Sequence, residues 1–357
     1  MAIEFVQTRF AIGKWNWVEQ MLGNEQKRWF SQQTVSFLTT LPICQRTMNL
    51  LANLEEEEQS LYWQAVSVNW IISQDDYEVT IRKLLEVNRP YTALDLVGLI
   101  LRNEQESKDL SPTLLIEVLE ELANSTFGTE TLTPDGYHRC VDGVEKIFCE
   151  LDQLNVEDSE IARLEWVYLP LLEQTLRQPK LLHRKLSKNP LFFAEILKFV
   201  YLSEDDRDES DSLDEEAMIR ANLGRELLES WYQVPGLAEE GTIDSEELKI
   251  WVSKAREACC ANGRGERGDY EIGRILAYAP KAADGIYPNS IVREIIEKLE
   301  SEDLERGIVE SLWNEGGDAE IYRNYAIALQ TTDYRTAAML EKIASIYDSD
   351  SHRDGFE

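Results

Sequence analysis

Apolar residues recur along nearly the whole chain at three- and four-residue intervals, the spacing that gathers them on one side of an α-helix. Between Ser111 and Leu122, the residues Leu115, Val118, Leu119 and Leu122 form such a stripe. Ser111 stands where a cap belongs and Pro112 occupies the tolerant first position. Asp244 to Ala258 opens with Asp244 and Glu247 in capping-box spacing, ahead of Leu248, Trp251, Val252 and Ala255. Asn289 to Leu299 aligns Ile291, Val292, Ile295, Ile296 and Leu299. Runs of alternating β-branched residues do not occur, so the pattern predicts an all-α fold.

Breakers divide the pattern into helices of about 10 to 18 residues, a spacing typical of paired helices. They fall at Asn88-Arg89-Pro90, Gly128 to Pro134, Gln178-Pro179, Asn189-Pro190, Pro235 to Gly241, Gly263 to Gly268, Pro280 to Pro288 and Gly316-Gly317. Pro170 should kink or end the helix that holds it. No strict period emerges, which argues against a regular tetratricopeptide or ankyrin array and for irregular helical-hairpin repeats, solenoid-like or bundled. Glu204 to Glu216 holds nine acids against Arg207 and reads as a flexible acidic loop. The expected organisation is a helical-repeat region at 1–203, this loop at 204–216, a second helical region at 217–348 and a polar tail at 349–357.

Composition narrows the functions that this architecture can serve. The net charge of −31 would repel nucleic acid and anionic membrane, and it suits a protein partner, possibly a basic one. A cluster at Arg177, Lys180, His183, Arg184, Lys185 and Lys188 reads as a solvated connection. Five cysteines, two of them adjacent, do not make a disulfide framework, and no basic leader precedes an apolar stretch at Met1. The longest mainly apolar run, Leu191 to Leu202, is too short to span a membrane. A cytoplasmic location is expected.

Candidate chemistry is sparse. Gly263-Arg264-Gly265-Glu266-Arg267-Gly268 has G-x-G-x-x-G form but follows a helix instead of a strand, so it reads as a helix-ending loop. Arg267-Gly268-Asp269 and the sequon Asn124-Ser125-Thr126 read as chance matches. No spacing of His138, His183, His352 and the cysteines suggests a metal site, and no cofactor is expected. A nucleophilic pair of Cys140 or Cys149 with His138 or His183 stays open beside the commoner structural reading. Trp63, Trp70, Trp166, Trp231 and Trp251 lie in apolar stripes and should be core, whereas Trp15, Trp17, Trp29 and Trp313 lie in more polar surroundings suited to binding anchors.

Several phrases occur together in one order: Leu61-Tyr62-Trp63, Leu84 to Pro90 with Ala93-Leu94, Leu164 to Leu172, Asn189 to Phe193, Pro235-Gly236 with Gly241 to Asp244, Ala277 to Pro280, and Asp303 to Gly307. In that order the chain resembles, from about residue 15 to 345, the helical C-terminal region of large uncharacterised bacterial multidomain proteins, some of which look like phage-defence proteins. It departs from them after Ile308, where they carry a longer segment rich in glycine, asparagine and arginine. The shared phrases are packing and turn residues, so the resemblance implies common ancestry and a bacterial source without carrying over an activity. The helical architecture and the acidic surface together lead to the expectation of a protein-interaction module acting as scaffold, sensor or regulatory subunit. Arg89, Trp166 and Tyr168 are the candidate partner-binding positions, and no catalytic set is expected. The alternatives are an acidic nucleic-acid mimic that inhibits a basic partner, and a Cys–His hydrolase.

Overall fold

In a computed structural model of the protein, the described residues are 2–23, 29–68, 77–102, 110–125, 134–201, 215–238 and 240–354. Among them the regular structure is helical, apart from isolated bridge residues such as Leu237, which pairs with Ile243. The fold is an all-α helical array. Contacts divide it into two units, Met1–Arg177 and Gln178–Glu357.

The first unit holds α1 (Ala2–Leu22), α2 (Ser31–Leu38), α3 (Gln45–Leu51), α4 (Glu56–Ala65), α5 (Tyr77–Glu86), α6 (Pro90–Leu101), α7 (Pro112–Asn124), α8 (Pro134–Leu151), α9 (Asp158–Val167) and α10 (Leu169–Leu172). Its centre is α6, which packs on α5, α7 and α8. Ala93, Leu94, Leu96, Val97 and Ile100 of α6 are buried, so this helix is apolar most of the way round, as a central helix must be. The stripe of α7 expected from the sequence is buried in full, although Ser111 precedes the helix without a side-chain capping bond. Pro170 acts as expected: α9 ends at Val167, and a separate short α10 follows.

The second unit holds α11 (Lys180–Lys188), α12 (Pro190–Val200), α13 (Glu215–Glu229), α14 (Ser245–Ala261), α15 (Gly265–Leu276), α16 (Ser290–Leu299), α17 (Glu302–Glu315), α18 (Ala319–Leu329) and α19 (Tyr334–Asp354). Its core is built on Phe193, Trp231 and Trp251, whose ring centroids lie 5.2 to 5.9 Å apart. Both indoles are anchored to α11. Trp231 Nε1 donates to Ser187 Oγ at 3.1 Å, and Trp251 Nε1 donates to the Leu186 carbonyl at 3.0 Å. These bonds explain why the unit boundary falls at Arg177 and not in the acidic run. Helices α11 and α12, assigned by sequence to the N-terminal region, complete the core of the C-terminal one.

Three other expectations change in detail. Within the acidic run, 204–214 lies outside the described residues, while Glu215 and Glu216 open α13. The tail expected from 349 is helical to Asp354. Asp244 caps α14 by accepting from the amides of Glu246 and Glu247, but the capping box is only half made. The Asp244 amide donates to the Gly236 carbonyl, and Glu247 pairs with Lys188.

Candidate functional site

A concavity between α1 and α2 measures about 800 Å³. Val6, Trp29, Phe30 and Phe37 supply its apolar surface, and Gln32, Gln33, Ser36, Thr39 and Thr40 its polar wall. Helix α2 builds the groove because its apolar residues turn two ways. Val35, Phe37 and Leu38 face inward, while Phe30 at the helix entrance remains 76% exposed. Phe37 is wedged between Trp29 and Trp17 at ring separations of 5.2 and 5.7 Å, which fixes the floor.

The hydroxyls of the polar wall donate to its own backbone. Ser36 Oγ donates to the Gln32 carbonyl at 2.8 Å, Thr39 Oγ1 to Ser36 at 2.9 Å, and Thr40 Oγ1 to Phe37 at 2.6 Å. Gln33 Oε1 accepts from the Phe30 amide at 3.2 Å. A guest therefore meets an uncharged surface with spare acceptor lone pairs and a rigid aromatic floor. Trp29 Nε1 is shielded and has no acceptor among the described residues. The signal for this groove was present in the sequence: from Trp29 to Gln45 no residue is charged, in a chain of which 29% is.

Two of the three candidate binding residues are engaged within the fold. Arg89 turns inward and donates to the carbonyls of Trp63 and Val66 at 2.8 and 2.9 Å, tying off the end of α4. Tyr168 is buried, and its hydroxyl donates to the Leu119 carbonyl at 2.6 Å. That burial also pushes its ionisation well above the usual tyrosine range. Trp166 is half-buried, neither full core nor exposed anchor. Of the other tryptophans, Trp63, Trp231 and Trp251 are core as expected, and Trp15, Trp17 and Trp29 are half-buried. Trp313 is exposed, while Trp70 lies outside the described residues.

On α8 the thiol candidates stand apart from their histidine. Cys140 is buried on α8, and desolvation pushes its thiol up to about 11, so the thiolate needed for attack is suppressed. His138 lies two positions away on the same helix, about 200° round it. Cys149 shares roughly the His138 face but stands three turns off, about 16 Å along the axis. His183 belongs to the second unit, where it is buried and its Nε2 lies 3.1 Å from Ser230 Oγ. Among the described residues no three His, Cys, Asp or Glu side chains converge as a metal site would require.

The two remaining motifs find structural explanations. Gly263, at φ +65°, ends α14, whereas Gly265 to Gly268 lie within α15 and not in a loop. A Cβ on Gly268 would come within 2.7 Å of the Cys259 Cβ, so the glycine permits α14 and α15 to meet. Asp269 is buried, binds Arg256 at 2.6 and 2.8 Å, and accepts from Ser301 Oγ at 2.6 Å. It joins three helices and is not displayed.

A smaller cleft of about 210 Å³ lies where α6 meets α8. Its charges pair with one another, Asp95 with Arg139 at 3.3 Å and Asp142 with Arg102 at 2.8 Å. These half-exposed pairs bridge the helices and leave little unbalanced charge for a ligand.

Among the described residues no helix is long and apolar enough to cross a membrane. No known protein family, curated protein or solved structure matches the chain.

Proposed function

We propose that the chain is a protein-binding module whose α1–α2 groove receives a short amphipathic helix of a partner protein. The observation that supports this most is an uncharged, aromatic-floored groove about 800 Å³ in volume with Phe30 exposed at its mouth. Helix α2 is eight residues long, about 12 Å, which matches about two turns of a guest. An apolar stripe at i, i+3, i+4 and i+7 would fill the floor. The net charge of −31 favours basic flanks on that stripe by steering their approach. A place in a bacterial defence or regulatory complex, suggested by the family resemblance, belongs to this reading and is tested with it.

The test uses a set of labelled 18-residue amphipathic helices that share one apolar stripe and carry Lys, Gln or Glu flanks. The Lys-flanked helix should bind the full chain most tightly at the groove, and Phe30→Glu should weaken it at least tenfold without lowering Tm. Equal binding by wild type and Phe30→Glu would remove the groove from the account. The acidic-mimic reading draws on the acidity of Glu204 to Glu216. It predicts instead that heparin or high salt displaces the Lys-flanked helix whatever occupies position 30.

A further inference from the structure

The second unit carries a surface whose charge is opposite to that of the molecule. Every charged side chain of α11 is basic, and Lys180, Arg184, Lys185 and Lys188 are all exposed. The inner side of the helix, with Leu182, His183, Leu186 and Ser187, is buried. The cationic face is therefore the outer one, not a general property of the segment. Basic residues near the end of α11 do complement its dipole. That effect covers Lys185 and Lys188, but it does not account for the next helix.

On α12, Leu191 and Phe199 remain 59% and 45% exposed. They stand eight residues apart, two turns and about 12 Å, on one face with Lys198. Phe192 forms the shoulder of that face, with Lys185 Nζ 4.3 Å from its ring centroid. Lys188 borders the same helix pair and reaches Glu247 at 2.9 Å through an exposed ion pair, which an incoming carboxylate can join or replace at small cost. One acid, Glu195, lies within the face. It stands about 40° from both Leu191 and Phe199, so the face is two apolar positions on either side of one carboxylate, bordered by Lys185, Lys188 and Lys198.

We infer that this α11–α12 face binds an acidic amphipathic helix of a partner protein, as an interface separate from the α1–α2 groove. Two apolar positions two turns apart match the i and i+7 or i+8 anchors of a guest helix. Lysines at the border pair with carboxylates flanking the guest's stripe. Screening restricts charge effects to about 8 Å at physiological salt, so at contact a guest meets Lys185, Lys188 and Lys198 with Glu195 and Glu247, and not the full charge of −31. A nucleic acid fits less well, because its long polyanionic backbone extends beyond the patch into that acidic field.

The Glu-flanked helix is the probe, measured against the full chain by fluorescence anisotropy. It should bind more tightly than its Gln-flanked counterpart, and added salt should weaken it. Lys185→Glu combined with Lys198→Glu should raise Kd at least tenfold, as should Leu191→Asp. Lys342→Glu, a charge change on α19, and Phe30→Glu should both leave this Kd unchanged. The inference is overturned if the Gln-flanked helix binds equally well, or if the double variant binds as wild type does. It is also overturned if an oligo-dT strand binds and competes at comparable concentration. Since Phe30→Glu probes only the groove and the lysine pair only this face, failure of one reading is distinguishable from failure of the other.

Discussion

The fate of Cys140 shows how burial decides chemistry at single positions. Its thiol is pushed up to about 11 and that of Cys259 to about 12, both chiefly by desolvation, whereas Cys149 and Cys260 are exposed. Timed alkylation should therefore modify Cys149 and Cys260 first, and reach Cys140 and Cys259 only after denaturant is added. Fast labelling of Cys140 in the native protein would revive the hydrolase reading. His183 supplies the matching test for pH. Burial lowers its imidazole to about 4, so the unfolded chain takes up that proton below its ordinary value of 6.5 while the folded chain does not. Stability attributable to this residue is complete above about pH 6.5 and falls as the pH drops towards 4, by about 3 kcal/mol in all. Urea titrations at about pH 7 and 4.5 should show a larger loss for wild type than for His183→Gln. Identical losses would contradict the assignment.

Helix contacts were legible in the sequence where they depend on apolar period, and hidden where they depend on backbone approach. The stripes of α7, α14 and α16 could be read directly, because a 3.6-residue period leaves little choice of buried face; only Leu299 stays half-exposed. The meeting of α15 and α17 could not be read. There a Cβ built on Gly273 would overlap the Leu304 carbonyl, and one on Gly307 would overlap that of Tyr270. A lone glycine within a helix gives no hint of the partner that it admits. Gly273→Ala should accordingly cost about 3 kcal/mol, read from the urea midpoint, because its added atom meets backbone that cannot rotate aside. A loss below about 1 kcal/mol would mean that the two helices can separate without penalty. Arg89 taught a related lesson. A basic residue at a breaker resembled a surface anchor, yet the adjacent end of α4 leaves carbonyls in need of donors, and the guanidinium satisfies two of them.

Across the whole molecule the charge pattern separates the two proposed surfaces. The groove is built from the longest early stretch without charge, and the α11–α12 face from a basic helix within an acidic chain. From sequence that basic cluster reads as a solvated connection, since the side of α12 left exposed becomes apparent only once α13 and α14 cover the opposite side. The unit boundary was missed for the same reason. Bonds from Trp231 and Trp251 to α11 span 44 and 65 residues, beyond the range of any local pattern. The central claim is that a partner helix lies along α2. Hydrogen exchange of the full chain, with and without the Lys-flanked helix, tests it most directly. Slowed exchange is predicted across 29–40 and the facing turn of α1 around Val6, and Phe30→Glu should abolish it. Bound peptide that leaves 29–40 unprotected, or protects it equally in the variant, would contradict the account.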